Sequence, residues 1–206
     1  EQIGNEAQGM LVFHYLQPEL NWSVKISMKL EELPQKPLLV ADAGYMYVAK
    51  MSGLAPLYDL FTPDIGEMAF LADEKAPHPF YTRGFLLQDE SSAPDLIKRA
   101  YENQNAAKYL LVKGRKDLVA DENGIIDEIS EPCVENMEPI GGTGDSLTGL
   151  VSSLMAAGMP IEKAASIAAI TNRRMGFLAN PTPASSISDL LKYLPEALET
   201  TLEKHG

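Results

Sequence analysis

Short apolar, β-branched runs recur along this chain, and stretches with helical spacing of hydrophobic residues separate them. That alternation admits few architectures, because a strand followed by a crossover helix builds an α/β sheet with helices on its faces. "GMLVFHY" (9–15) reads as a buried strand, and "PELNWSVKISMKLEEL" (18–33) places Leu20, Val24, Met28 and Leu33 at rough helical spacing. "KPLLVADAG" (36–44) is the clearest strand, closing on Asp42 and Gly44, and "YMYVAKM" (45–51) continues as a short helix. "LYDLFTPDIGEMAFLAD" (57–73) reads as strand, turn and helix, broken at Thr62–Pro63, with Glu67 in the first turn of the helix. A helix from Ala93 to about Asn105 is capped by Ser91 or Ser92, with Pro94 at an early position. "KYLLVKG" (108–114) is another buried strand, and "DLVADENGIIDEI" (117–129) is a hairpin turning at Asn123–Gly124. Helices over 145–158, 161–179 and 187–203 complete the chain, the last set off by "NPTPASS". The 206 residues suffice for one domain with a sizeable core.

Composition narrows the function classes. A formal charge of −12 argues against a sequence-independent nucleic-acid surface or an anionic membrane surface. It leaves room for a nucleotide, since backbone amides and a metal hold small phosphates. Cys133 is the one cysteine, so a disulfide framework and a cysteine-based metal site are excluded within the chain, in keeping with a reducing cytoplasm. No apolar run approaches the roughly 20 residues of a membrane helix, and no secretory signal is visible. The sequence opens on Glu1. His14, His78 and His205 are too scattered for a recognisable metal site.

The chemistry concentrates in "GGTGDSLTGLVSSLMAAG" (141–158). Glycines allow consecutive N–H groups to turn inward, and the helix that follows adds the positive end of its dipole, which together make an anion nest. Leu147, Leu150, Val151 and Leu154 give that helix an i, i+3, i+4, i+7 packing face. Asp145 has two readings: a helix N-cap, or a general base taking the proton of an incoming hydroxyl while the amides and a metal hold a phosphoryl group. Elsewhere Glu67 reads as a first-turn acid, Asp42 as a strand-end turn residue, Arg173–Arg174 as a solvated helix face and Cys133 as a small packed residue. Trp22 reads as core or interface, and Met46, Met51, Met68, Met155, Met159 and Met175 as packing residues.

The same loop resembles the signature of the ribokinase-like superfamily, specifically its ATP- or ADP-dependent NAD(P)H-hydrate dehydratases. Collinear motifs extend the resemblance from about residue 36 to 178. "PLLVADAG" resembles the family's strand ending in Asp-Ala-Asp, "TPDIGEM" its Thr-Pro-His-x-Gly-Glu motif, and "LLVKGRKDLVADENG" its Lys-Gly-x-x-Thr strand and hairpin. The resemblance implies a layered α/β/α domain with a central, mostly parallel sheet. It implies an anion hole of Gly141, Gly142, Thr143 and Gly144, with Asp145 as base and in contact with the substrate hydroxyl. Lys113, Gly114, Gly144 and Asn172 would border the nucleotide, and Asp42 and Asp64 the substrate. ATP or ADP with Mg2+ would phosphorylate hydrated NAD(P)H, and loss of phosphate would restore the dihydropyridine.

Departures accompany the match. Asp64 stands where the family has histidine, Gly44 replaces the second aspartate, and Asp117 replaces the threonine, placing a carboxylate near phosphate. The early Gly-Pro-Gly motif reads "HYLQPE" (14–19), and His78 is a candidate replacement for the lost histidine. The family's N-terminal glycine-rich substrate segment has no counterpart, so Glu1 marks either a truncation or a reduced, divergent member. Three readings stay open: the dehydratase-type phosphotransfer, a related kinase of a sugar or vitamin alcohol, and a degenerate nucleotide-binding or assembly domain. Oligomeric state stays open with them.

Overall fold

The computed structural model describes residues 9–14, 19–73 and 92–206. Two compact units result: Glu1–Gly114 with Leu118–Ile126, and Arg115–Asp117 with Asp127–Gly206.

In the first unit, β1 (Met10–His14), β2 (Leu38–Asp42), β3 (Leu60–Phe61) and β4 (Tyr109–Val112) follow one another across the sheet as parallel neighbours. Helices supply the crossovers that parallel pairing requires: α1 (Leu20–Glu31), α2 (Gly44–Met51), α3 (Ile65–Ala72) and α4 (Ala93–Glu102). β5 (Asp117–Asp121) then pairs antiparallel to β4, and β6 (Gly124–Ile129) completes the strand order β1-β2-β3-β4-β5-β6. The hairpin turn falls as expected: Gly124 takes φ 129°, and the Asp121 carboxylate accepts the Asn123 N–H at 2.8 Å. Phe61, Phe70, Met46, Leu60, Met68, Leu71 and Ile97 are fully buried in this unit. Their burial closes the core between sheet and helices.

β1 differs from the expectation of a buried strand. Among the described residues it occupies the edge of the sheet, and Val12 and His14 are exposed. An apolar run cannot distinguish a central from an edge position, because strand order is a long-range property. Trp22 is outside the core, on the solvent side of α1 at 64% exposure, with the Lys25 ammonium 4.7 Å from its ring centroid.

The second unit is built on α5 (Thr143–Ala156) and α6 (Ile161–Ala179). α5 buries Leu147, Leu150, Val151, Leu154 and Met155, matching the spacing of its sequence, while Met175 of α6 joins Ile140, Leu190 and Ala197 in a second cluster. The helix expected over 187–203 is interrupted. A short α7 (Ile187–Leu190) passes through a 3-10 turn at Leu191–Tyr193 into α8 (Leu194–His205), whose first turn contains Pro195. Proline lacks the N–H that would continue the preceding turn, so the hydrogen-bond ladder restarts there. Cys133 is exposed rather than packed.

Candidate active site

Parallel strands direct their carboxyl ends to one edge, where α/β proteins place their chemistry. In the first unit that edge carries Asp42 at the end of β2, His14 at the end of β1, and Asp64 and Lys113 just beyond β3 and β4. Register brings them together. His14 is opposite Asp42 in the β1–β2 pairing, and an isolated parallel bridge joins Asp64 to Lys113, whose N–H donates to the Pro63 carbonyl at 2.7 Å.

Asp42 is 1% exposed, and its carboxylate is fully engaged. Its Oδ1 accepts the Lys113 ammonium at 2.8 Å and the Ala43 N–H at 2.9 Å, and its Oδ2 lies 3.4 Å from His14 Nδ1. Burial acts to lower the pKa of the Lys113 ammonium. The Asp42 and Glu67 carboxylates outweigh it and hold that pKa above the usual lysine value. Ala43, directly after Asp42, has φ 52° and ψ −140°, a conformation ordinarily reserved for glycine.

Asp64 and Glu67 form a reciprocal capping box at the start of α3. Asp64 Oδ1 accepts the Glu67 N–H at 2.7 Å, and Glu67 Oε2 accepts the Asp64 N–H at 2.8 Å. The aspartate that replaces the family's histidine is therefore a helix cap. Glu67 proves to be more than a first-turn acid: it is 9% exposed, and burial together with the Asp64 charge pushes its carboxyl up to about 7. The Tyr47 hydroxyl is 3.5 Å from its Oε1, a neighbour no sequence motif announced.

In the second unit the glycine-rich loop enters α5 without a side-chain cap. The N-cap is Gly142, at φ 98°, and a Cβ there would lie 3.2 Å from the Ile187 side chain. Glycine is thus favoured by the backbone conformation, and a side chain would also press on Ile187. Asp145 is the third residue of the helix, which corrects the N-cap reading of that residue; its side chain is exposed. The first helical hydrogen bond runs from Ser146 N to the Gly142 carbonyl at 2.9 Å. The amides of Thr143, Gly144 and Asp145 therefore precede the ladder, at the positive end of the helix dipole. The Thr143 hydroxyl ties the turn back to the Ile140 carbonyl at 3.1 Å.

Asn172 on α6 lies beside this turn. Its Oδ1 is 2.8 Å from the Ser146 hydroxyl, and its Nδ2 donates to the Thr143 carbonyl at 3.2 Å. Its neighbour Arg173 departs from the expected solvated face. At 7% exposure it donates from Nε to Asp117 Oδ2 at 2.7 Å, from Nη1 to the Ser130 carbonyl at 3.1 Å, and from Nη2 to the Arg115 carbonyl at 2.9 Å. The carboxylate that replaces the family's threonine is thereby neutralised. No local signal in the sequence announced the pair, because the burial of Asp117 that demands a cation is itself set by the tertiary structure. His78 lies outside the described residues.

Comparison with known proteins gives the family and the fold. A family profile described as NAD(P)H-hydrate dehydratase matches residues 20–198. An uncharacterized protein of Methanocaldococcus jannaschii is 43% identical over 195 residues, covering 94% of this chain and 81% of its own length. The bifunctional NAD(P)H-hydrate repair enzyme Nnr of Hyperthermus butylicus is 34% identical over 118 residues, 56% of this chain and 21% of that enzyme. Among solved structures, a phosphofructokinase-2 mutant from Escherichia coli superposes with a TM-score of 0.63 at 16% identity, over 95% of this chain and 60% of the kinase. Pyridoxal kinase of Entamoeba histolytica gives 0.63 at 18% identity, over 90% and 68%. The chain thus spans about a fifth of the repair enzyme and three fifths of the phosphofructokinase. The fold is ribokinase-like, and the chain belongs to the NAD(P)H-hydrate dehydratase family of carbohydrate-kinase-like proteins.

Proposed function

We propose that this chain performs nucleotide-dependent phosphotransfer of the NAD(P)H-hydrate dehydratase type, with Asp145 as general base. The observation that carries the reading is the uncapped, glycine-entered start of α5, with a carboxylate in its first turn, inside the region matched by the family profile. ATP or ADP donates its terminal phosphoryl group to the hydroxyl of the hydrated dihydropyridine, and Asp145 takes the hydroxyl proton. Departure of phosphate with the C–O electron pair, and of a proton from the neighbouring ring carbon, restores the double bond. Gly141, Gly142, Thr143 and Gly144 offer backbone amides to the transferring group. Lys113 and Gly114 serve the nucleotide phosphates, with the ammonium oriented by Asp42. The carboxylates at the strand ends of the first unit are engaged within the protein, Asp42 by Lys113 and Asp64 and Glu67 by the α3 capping box, so they form no dedicated cage for a divalent cation. Mg2+ arriving on the nucleotide would supply charge neutralisation at its phosphates.

A second reading is favoured by one observation: the Asp64 carboxylate is committed to capping α3, where the family places a substrate-contacting histidine. A kinase acting on another small alcohol accommodates that change. Measuring ADP release with hydrated NADH, a sugar panel and vitamin alcohols separates the two. Asp145→Asn is expected to lower turnover by about two to four orders of magnitude, the range of a general base, while nucleotide affinity stays within about threefold. Absence of binding by ATP and ADP at millimolar concentration with MgCl2 overturns both enzymatic readings in favour of an assembly domain.

A further inference from the structure

We infer that Asn172 is a positioning residue for the anion-binding loop, acting through the Thr143–Gly144 peptide; the inference rests on the phosphotransfer reading above. The planar trans peptide couples the Thr143 carbonyl to the Gly144 N–H, which point in opposite directions. The carboxamide of Asn172 donates to that carbonyl at 3.2 Å, so it restrains the plane of the peptide, together with the first turn of α5, and thereby the aim of the Gly144 amide. Gly144 has no side chain to set its own orientation, and the loop before it is entered through a left-handed glycine. The Thr143 carbonyl also belongs to the first turn of α5, so the carboxamide adds a second hold on this peptide, from α6.

Ser146 closes the arrangement. Its hydroxyl lies 2.8 Å from the Thr143 carbonyl and 2.8 Å from Asn172 Oδ1, and its single proton serves either acceptor. Asn172, Ser146 and the Thr143 carbonyl thus form one closed triangle, within which Asn172 is only 8% exposed. Both ends of the carboxamide are committed within it.

Arg173 makes the hold rigid. Adjacent positions on a helix are about 100° apart, so Asn172 faces the loop while Arg173 reaches another way, to Asp117 and to the carbonyls of Arg115 and Ser130. The planar guanidinium fixes α6 through three hydrogen bonds in one plane. The segment it grips, Arg115–Asp117, directly follows Lys113 and Gly114 in the chain. One turn of α6 therefore orients the loop amide and anchors the chain just beyond the proposed phosphate-binding lysine.

The test is a titration of Mg-ADP into the unsubstituted protein, Asn172→Ala, Asn172→Asp, Ser146→Ala and the Asn172→Ala/Ser146→Ala pair. Affinity is read by calorimetry, and the Gly144 amide by its proton–nitrogen NMR resonance. Asn172→Asp, which swaps the donor for a carboxylate oxygen, should weaken ADP at least about tenfold and shift the Gly144 resonance of the free protein. Ser146→Ala should weaken ADP about threefold. The pair should weaken it by less than the product of the single effects, since both act on one peptide. ADP affinity within about twofold of the unsubstituted protein in the Asn172 variants, with the Gly144 resonance unmoved, overturns the positioning role alone. Should the Asn172 variants fail to fold, Ser146→Ala decides by the same two readouts. Absence of ADP binding by the unsubstituted protein overturns the phosphotransfer reading, and this inference with it.

Discussion

At the scale of single residues, environment separates acids that look alike in the sequence. Asp42 and Asp117 are both buried, and each is compensated by a cation, Lys113 for the first and Arg173 for the second. Asp64 is spent on a cap, whereas Asp145 stands exposed in the first turn of α5. Removing the cation from a buried pair leaves an uncompensated charge, so Arg173→Met is expected to destabilise the protein by about 3–5 kcal/mol. Urea unfolding of the variant beside Arg173→Met/Asp117→Thr checks this, since the second change should recover most of the loss. Ala43 provides a prediction of opposite sign. Its positive φ carries strain that glycine would not, so Ala43→Gly is expected to stabilise by about 1 kcal/mol, measured as a rise in melting temperature of a few degrees.

At the scale of elements, the end of α3 is held by a residue from another helix. The Lys50 ammonium on α2 donates to the carbonyls of Phe70 and Asp73 and lies 4.0 Å from the centroid of the Phe70 ring. Burial pushes its pKa down to about 8, against the raising effect of Asp73. A folded-state value below the unfolded value of about 10.5 means that the unfolded chain binds more protons between those limits. The contribution of Lys50 to stability therefore rises with pH from about 8 to 10.5, by about 3 kcal/mol, and is flat below 8. Thermal or urea unfolding of Lys50→Met against the parent protein across pH 7–10.5 isolates this slope; parallel curves would show that the buried ammonium is not the cause. Much at this scale was legible beforehand. The period of α5, the extent of α6, the strand before Asp42 and the Asn123–Gly124 hairpin are local patterns, and local geometry realises them. The edge position of β1 was not, because it depends on strand order, whereas the break between α7 and α8 is signalled locally by Pro195, a marker that the helical spacing of 187–203 masks.

At the scale of the whole molecule, ligand linkage offers a readout that assumes no substrate. Nucleotide at 100 times its dissociation constant should stabilise the folded chain by about 2.7 kcal/mol, raising the melting temperature by roughly 5–10 °C. Equal melting temperatures with and without Mg-ADP at that excess would contradict a nucleotide site. The sequence by itself determined the alternation of strand and helix, the glycine-entered start of α5 and the family to which these motifs point, since all are written in residues near one another in the chain. Only the tertiary structure decided which charges are neutralised and which polar groups are spent on support. Arg173 meets Asp117 across 56 positions, Lys113 meets Asp42 across 71, and Asn172 meets the Thr143 carbonyl across 29. Compensation of a buried charge or amide acts through space, over a few ångströms, and no local periodicity encodes it.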